Sequence, residues 1–146
     1  MIGHLQSNKA KQAASLFDIV HSIDSIRLAT ILNVHATKIL PILFQVNVAG
    51  EDVKNGFPAR DIAQALEEIN TLPNLKLIGL MTIAPLVDNP ETVRPVFRRL
   101  RHLAETLHLE HLSMGMTDDF EVAIEEGATM VRIGRAIFGK RRIACV

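Results

Sequence analysis

"LSMGMTDDFEVAIEEGATMVRIGRAIFG", Leu112 to Gly139, decides how the rest of the chain is read. One apolar run ends in Ser113-Met114-Gly115-Met116, a helical segment follows, and a second apolar run ends in Arg132-Ile133-Gly134-Arg135. Strand, helix, strand in that order is a unit of a parallel sheet. Within the helix, Phe120, Ala123 and Ile124 are expected to face inward. Asp118 and Glu121 have the spacing of a capping box, and Gly127 marks the C-terminal stop.

Outward from this unit the same alternation fills the chain. "MIGHLQ" and "FDIVHSI" read as strands, with Ser7 placed to cap the helix between them. "DSIRLATILNVHA" keeps a three-four spacing through Ile26, Ala29, Thr30, Asn33 and Val34, capped by Asp24 or Ser25. "ILPILFQVNV" is almost wholly apolar, as befits a strand covered on both faces. A helix with the stripe Ile62, Ala65, Leu66 and Ile69 follows, with Pro58 near its first turn. "LKLIGLMTI" contains Gly79, the mark of a bend or a close backbone approach. The longest helix lies in "ETVRPVFRRLRHLAETLHL", with Pro95 in its first turn. Six strands thus alternate with five helices in a single domain spanning residues 1–146. A closed (β/α) barrel needs eight strands. The pattern is therefore an open doubly wound sheet, or a barrel whose front is missing.

Composition narrows the function. Of 146 residues, 48% are hydrophobic and 22% charged, a globular balance. Sixteen basic residues offset sixteen acidic ones, so no global field attracts nucleic acid or an anionic membrane. No apolar run approaches the length of a membrane span. The single cysteine, Cys145, has no partner for a disulfide, which fits a reducing cytosol.

In either parallel architecture ligands bind beyond the C-terminal ends of the strands. The polar residues there are His4 and Gln6, His21 and Ser22, Asn47, Met81 with Thr82, Ser113 to Met116, and Arg132 to Arg135. The last two groups lie on consecutive strands, where loop N–H groups commonly hold a phosphate. Ser113 adds a hydroxyl, while Gly115 and Gly134 let the main chain come close, so a phosphate-bearing ligand is expected. Arg132 lies between apolar neighbours and needs a partner, either a buried carboxylate or a ligand atom. Asp118 and Asp119 read more simply as helix caps than as an acid/base pair. His108 and His111 lack a third metal ligand. "RRLRH" and the tail "KRR" read as solvated surface. Hydrolase elbow, Walker and dinucleotide glycine motifs are absent.

On "IGHLQSNKAK", "HSID", "QVNVAGEDVKNGF", "GLMTIAP" and the opening stretch, in that order, the sequence resembles the pyridoxal phosphate homeostasis proteins. Their fold is the barrel of alanine racemase. The resemblance implies an incomplete (β/α) barrel and a non-enzymatic protein that binds pyridoxal 5'-phosphate (PLP) in vitamin B6 homeostasis, in the cytoplasm. It implies a phosphate contact at Ser113, completed by backbone around Gly134 and Arg135. Arg132 matches the arginine that faces the pyridine nitrogen, and His4, Ser22 and Met81 match positions lining the pocket. Position 135 is often a small hydroxyl residue in the family, so Arg135 would substitute backbone and charge. The family's Schiff-base lysine, in a segment like V-S-K-T on the first strand, has no counterpart here, nor does its Gly-Glu-Asn segment. Lys9, Lys11 and Lys54 lie on or near matching segments without matching that lysine. The first two β/α units are accordingly expected to be missing, PLP binding to be weak and non-covalent, and the open sheet edges to invite self-association. Two other readings stand beside this one: a non-binding structural fragment, or a small barrel enzyme for a phosphorylated metabolite with His4 or His21 as its acid/base.

Overall fold

The fold is described from a computed structural model, over residues 1–50 and 55–139. Lys54, Cys145 and the "KRR" tail lie outside the described residues.

The apolar run expected to be covered on both faces is β2, Leu40–Asn47, in which only Pro41 and Asn47 are not buried. It stands between β1 (Val20–Ile23) and β4 (Leu75–Met81), and β5 (His111–Met116) and β6 (Met130–Arg132) complete the order β1-β2-β4-β5-β6. Every pairing is parallel. A two-residue strand, β3 (Phe57–Pro58), pairs with the end of β2 and sets the Phe57 ring 4.8 Å from that of Phe44. Helices α2 (Ile26–His35), α3 (Ile62–Ile69), α4 (Arg94–Thr106) and α5 (Phe120–Glu125) fall between strands, α1 (Ala10–Leu16) precedes β1 and α6 (Arg135–Phe138) follows β6. Phe44, Leu32, Leu80, Phe97 and Leu100 are among the fully buried core side chains.

The sheet is strongly curled. Flat strands three places apart would lie about 14 Å from each other, beyond the combined reach of a histidine and a serine. Yet His21 of β1 touches Ser113 of β5 at 2.8 Å. Curvature of that degree belongs to a barrel wall. The architecture is a partial parallel (β/α) barrel.

Several local signals hold. Ser25 caps α2, its hydroxyl accepting from the Leu28 N–H at 3.3 Å. Pro95 stands in the first turn of α4. Gly79 faces His111 across the β4–β5 ladder, with no room for a β-carbon. Others fail for physical reasons. "MIGHLQ" is not a strand; Met1 accepts from the His21 N–H of β1 and donates to the Ile19 carbonyl just before that strand, while the Gly3 carbonyl accepts from the Ser22 hydroxyl. Ser7 caps nothing and lies inside a 3-10 turn that precedes α1. In α2 the buried stripe is Leu28, Ala29 and Leu32, while Thr30 bonds back to the Ile26 carbonyl and Val34 is exposed. Asn33 instead secures the entry to β4, accepting from the Asn74 N–H at 2.8 Å. In α5 Val122 and Ala123 are buried and Ile124 faces solvent, because Gly115 approaches the helix at Phe120 and Ala123. Neither aspartate caps that helix. Asp119 turns back to the Met116 N–H at 2.6 Å, and Asp118 pairs with Arg135.

Candidate functional site

The parallel register brings the C-terminal strand ends together. Met81 pairs with Ser113, and Met116 pairs with Arg132, so β4, β5 and β6 deliver their last residues to one rim. Alternation along each strand then sends chosen side chains into the concave interior.

Arg132 is the centre of what meets there. It is buried, and one terminal nitrogen donates to both the Ser113 carbonyl (2.7 Å) and the Ser113 hydroxyl (2.9 Å). The other donates to the Thr82 carbonyl at 2.7 Å. Among the described residues no carboxylate is in ion-pair contact with it, and the acceptors it meets there are neutral. Burial brings its pKa down to about 10, opposed by the charge of Asp119, and the guanidinium stays charged at neutral pH. Thr82 ties the same rim to β2 through its hydroxyl, which donates to the Val46 carbonyl at 2.8 Å.

Ser113 also touches His21, whose Nδ1 lies 2.8 Å from Oγ. Burial pushes the His21 pKa down to about 4, helped by the positive charges of the first amino group and of Arg132. The imidazole is therefore neutral at physiological pH.

A cleft of about 430 Å³ opens beside this network, lined by Ile2, Met116, Thr117, Arg132, Gly134 and Arg135. Its size is that of a small-molecule site. Arg132 belongs to both the buried network and the cleft wall. Gly134 faces open space, with no atom within 4 Å of where a β-carbon would stand. Arg135 is half-exposed and ion-paired with Asp118.

The residues expected at the site therefore separate into two tiers. Arg132, Gly134 and Arg135 line the cleft. Ser113, Met81 and Ser22 are wholly buried behind it, Ser22 donating to the Gly3 carbonyl at 2.6 Å. His4 stands apart, half-exposed and 3.1 Å from Asp24, with Asn55 at 3.4 Å. Thr117 was not singled out by sequence, although it is the first residue beyond the Ser-Met-Gly-Met strand end and brings a hydroxyl to the cleft. The signal was its position, one step past a strand terminus, obscured by the two aspartates that follow.

His108 and His111 share a cavity of about 220 Å³ with Lys76 and Glu110. Among the described residues no group of three His, Cys, Asp or Glu side chains could hold a metal ion. The "RRLRH" helix face is not merely solvated: its Arg98 and Arg101 reach the buried Glu126 at 2.9 and 3.3 Å, joined by Arg94 from one turn earlier at 3.2 Å. No helix among the described residues is long and apolar enough to cross a membrane.

Residues 1–142 match the family described as alanine racemase, N-terminal domain. The chain belongs to that family. Within it, the similar curated proteins are pyridoxal phosphate homeostasis proteins. That of Aquifex aeolicus is 47% identical over 97% of this chain and 66% of its own length. That of Escherichia coli K12 is 42% identical over 96% of this chain and 63% of its own. The chain thus spans slightly less than two thirds of these relatives. Among solved structures, PipY of Synechococcus elongatus with PLP bound is similar at a TM-score of 0.85 and 34% identity, over 94% of this chain and 68% of that one. An alanine racemase of Clostridium difficile superposes with a TM-score of 0.70 at 16% identity, a likeness of fold alone.

Proposed function

We propose that this alanine racemase N-terminal domain chain binds pyridoxal 5'-phosphate in the 430 Å³ cleft and serves PLP homeostasis in the cytosol without catalysing a reaction of its own. The observation that carries this reading is Arg132, a buried cation with neutral protein acceptors that also forms part of the cleft wall. The donor set suits the ligand. Thr117, Gly134 and Arg135 offer a hydroxyl, an open backbone and a guanidinium for a phosphate, and Ile2 and Met116 offer apolar surface for a pyridine ring. Arg132 would face the ring nitrogen and keep it unprotonated, which weakens the cofactor as an electron sink and favours storage over turnover. The PLP-bound PipY structure supports the same class of ligand. Ser113, buried behind Arg132 and not part of the cleft lining, would not touch the phosphate.

Binding would be non-covalent through the described part of the chain. Its lysines are Lys9, Lys11, Lys38 and Lys76, and none lines the cleft. Equilibrium dialysis with PLP, followed by borohydride reduction and mass mapping, tests both claims. Saturable binding without a stoichiometric lysine adduct is the expected result. A single full adduct would overturn the non-covalent claim, and no saturable binding would overturn the function.

A further inference from the structure

The contact between His21 and Ser113 carries a role that the proposed function does not assign. A guanidinium only donates, so the Arg132 nitrogen 2.9 Å from Ser113 Oγ occupies a lone pair of that hydroxyl. The hydroxyl hydrogen must therefore point away from Arg132. His21 Nδ1 is 2.8 Å away and, on a neutral ring, can accept it. The bonds then run in one direction, from Arg132 to Ser113 to His21. Three of the five guanidinium donors are committed to Ser113 and Thr82, which fixes the plane in which Arg132 meets the cleft.

We propose that His21 is a positioning residue for the pyridine-nitrogen contact: by accepting the Ser113 hydrogen through Nδ1 it holds the Ser113 lone pair on Arg132 and so fixes the guanidinium against the ring of a bound pyridine ligand. The inference rests on the PLP reading above. It assigns to Ser113 and His21 a role in recognising the ring, not the phosphate. Without the imidazole, the Ser113 hydroxyl loses its acceptor and rotates, and Arg132 keeps its charge but loses one of the bonds that define its orientation.

The test compares PLP with its 1-deaza analogue, in which a C–H group replaces the ring nitrogen, by equilibrium dialysis on the whole chain. The wild-type protein should prefer PLP. His21→Leu and Ser113→Ala should lose about tenfold of that preference, equivalent to roughly 1.4 kcal/mol, with affinity for the analogue unchanged. His21→Asn, whose amide can occupy the place of Nδ1, should restore it. Equal weakening toward both ligands, or undiminished discrimination in His21→Leu, overturns the inference and leaves the PLP reading standing. A wild-type protein that binds both ligands equally overturns the ring-nitrogen assignment, and the inference with it. A ¹⁵N spectrum of the unaltered, ligand-free protein gives a check that needs no variant: His21 Nδ1 should be the unprotonated nitrogen at pH 7, and a protonated Nδ1 would overturn the relay.

Discussion

Gly79 on β4 and His111 on β5 stand so close that a β-carbon on the glycine would lie 2.0 Å from the His111 carbonyl oxygen and 2.7 Å from its Cβ. The obstruction is largely backbone, which cannot swing aside as a flexible side chain would. Gly79→Ala should therefore push the two strands apart and destabilise the protein by about 2 to 3 kcal/mol, read as a lower urea midpoint. Because Met81 and Ser113 pair two residues further along the same ladder, the variant should also weaken PLP binding.

Arg132→Lys should be costly although the charge is conserved. An ammonium is a point donor without the planar fork that reaches Thr82 and Ser113 together. At least one buried carbonyl then loses its partner, for about 2 kcal/mol. Chemical denaturation of the ligand-free protein measures this apart from binding.

His21 makes stability depend on pH above the carboxylate range. Its folded pKa of about 4 lies below the ordinary 6.5, so between those values the unfolded chain binds the proton more readily. Stability should fall as pH drops from about 6.5 toward 4 and then level off for this group. The ring is only partly buried, so after allowance for solvent screening the contribution is about 1 kcal/mol. Urea denaturation between pH 4 and 8, compared with His21→Leu, should show the slope in the wild type alone.

Glu126 acts in the range below. Arg98 first, and Arg94 and Arg101 with it, hold its carboxyl below the usual 4.5. Its stabilisation is present above that value and is lost as pH falls through the lower folded pKa. Glu126→Gln leaves three arginines facing one another and should lower the melting temperature at neutral pH by a few degrees. The same substitution should flatten the wild type's further loss of stability below pH 4.5.

The elements that sequence made legible are those encoded by one residue or one local pattern. β2 announced itself through an unbroken apolar run, Gly79 through the absence of a side chain, and Ser25 through cap chemistry. The aspartates misled because a distant partner outcompeted a local one: Arg135 claims Asp118 from beyond the next helix and strand. "MIGHLQ" has the composition of a strand but takes a single backbone bond from β1, His21 N–H to the Met1 carbonyl. Arg132 could be seen to need a partner, while its acceptors could not be named, since two are backbone carbonyls that carry no mark in sequence. His21 stood among the strand-end residues, but its meeting with Ser113 depends on how far the sheet curls.

That meeting also dates itself in the folding of the chain. His21 and Ser113 are 92 residues apart, and the strands that carry them are neighbours only through β2 and β4. Their bond cannot form until four strands have docked and the sheet has bent, which makes it among the most non-local contacts the chain has to close. The shape of the binding wall and the wiring behind it are thus completed together, late, and a chain that stalls with a flat sheet would possess every residue of the site without possessing the site.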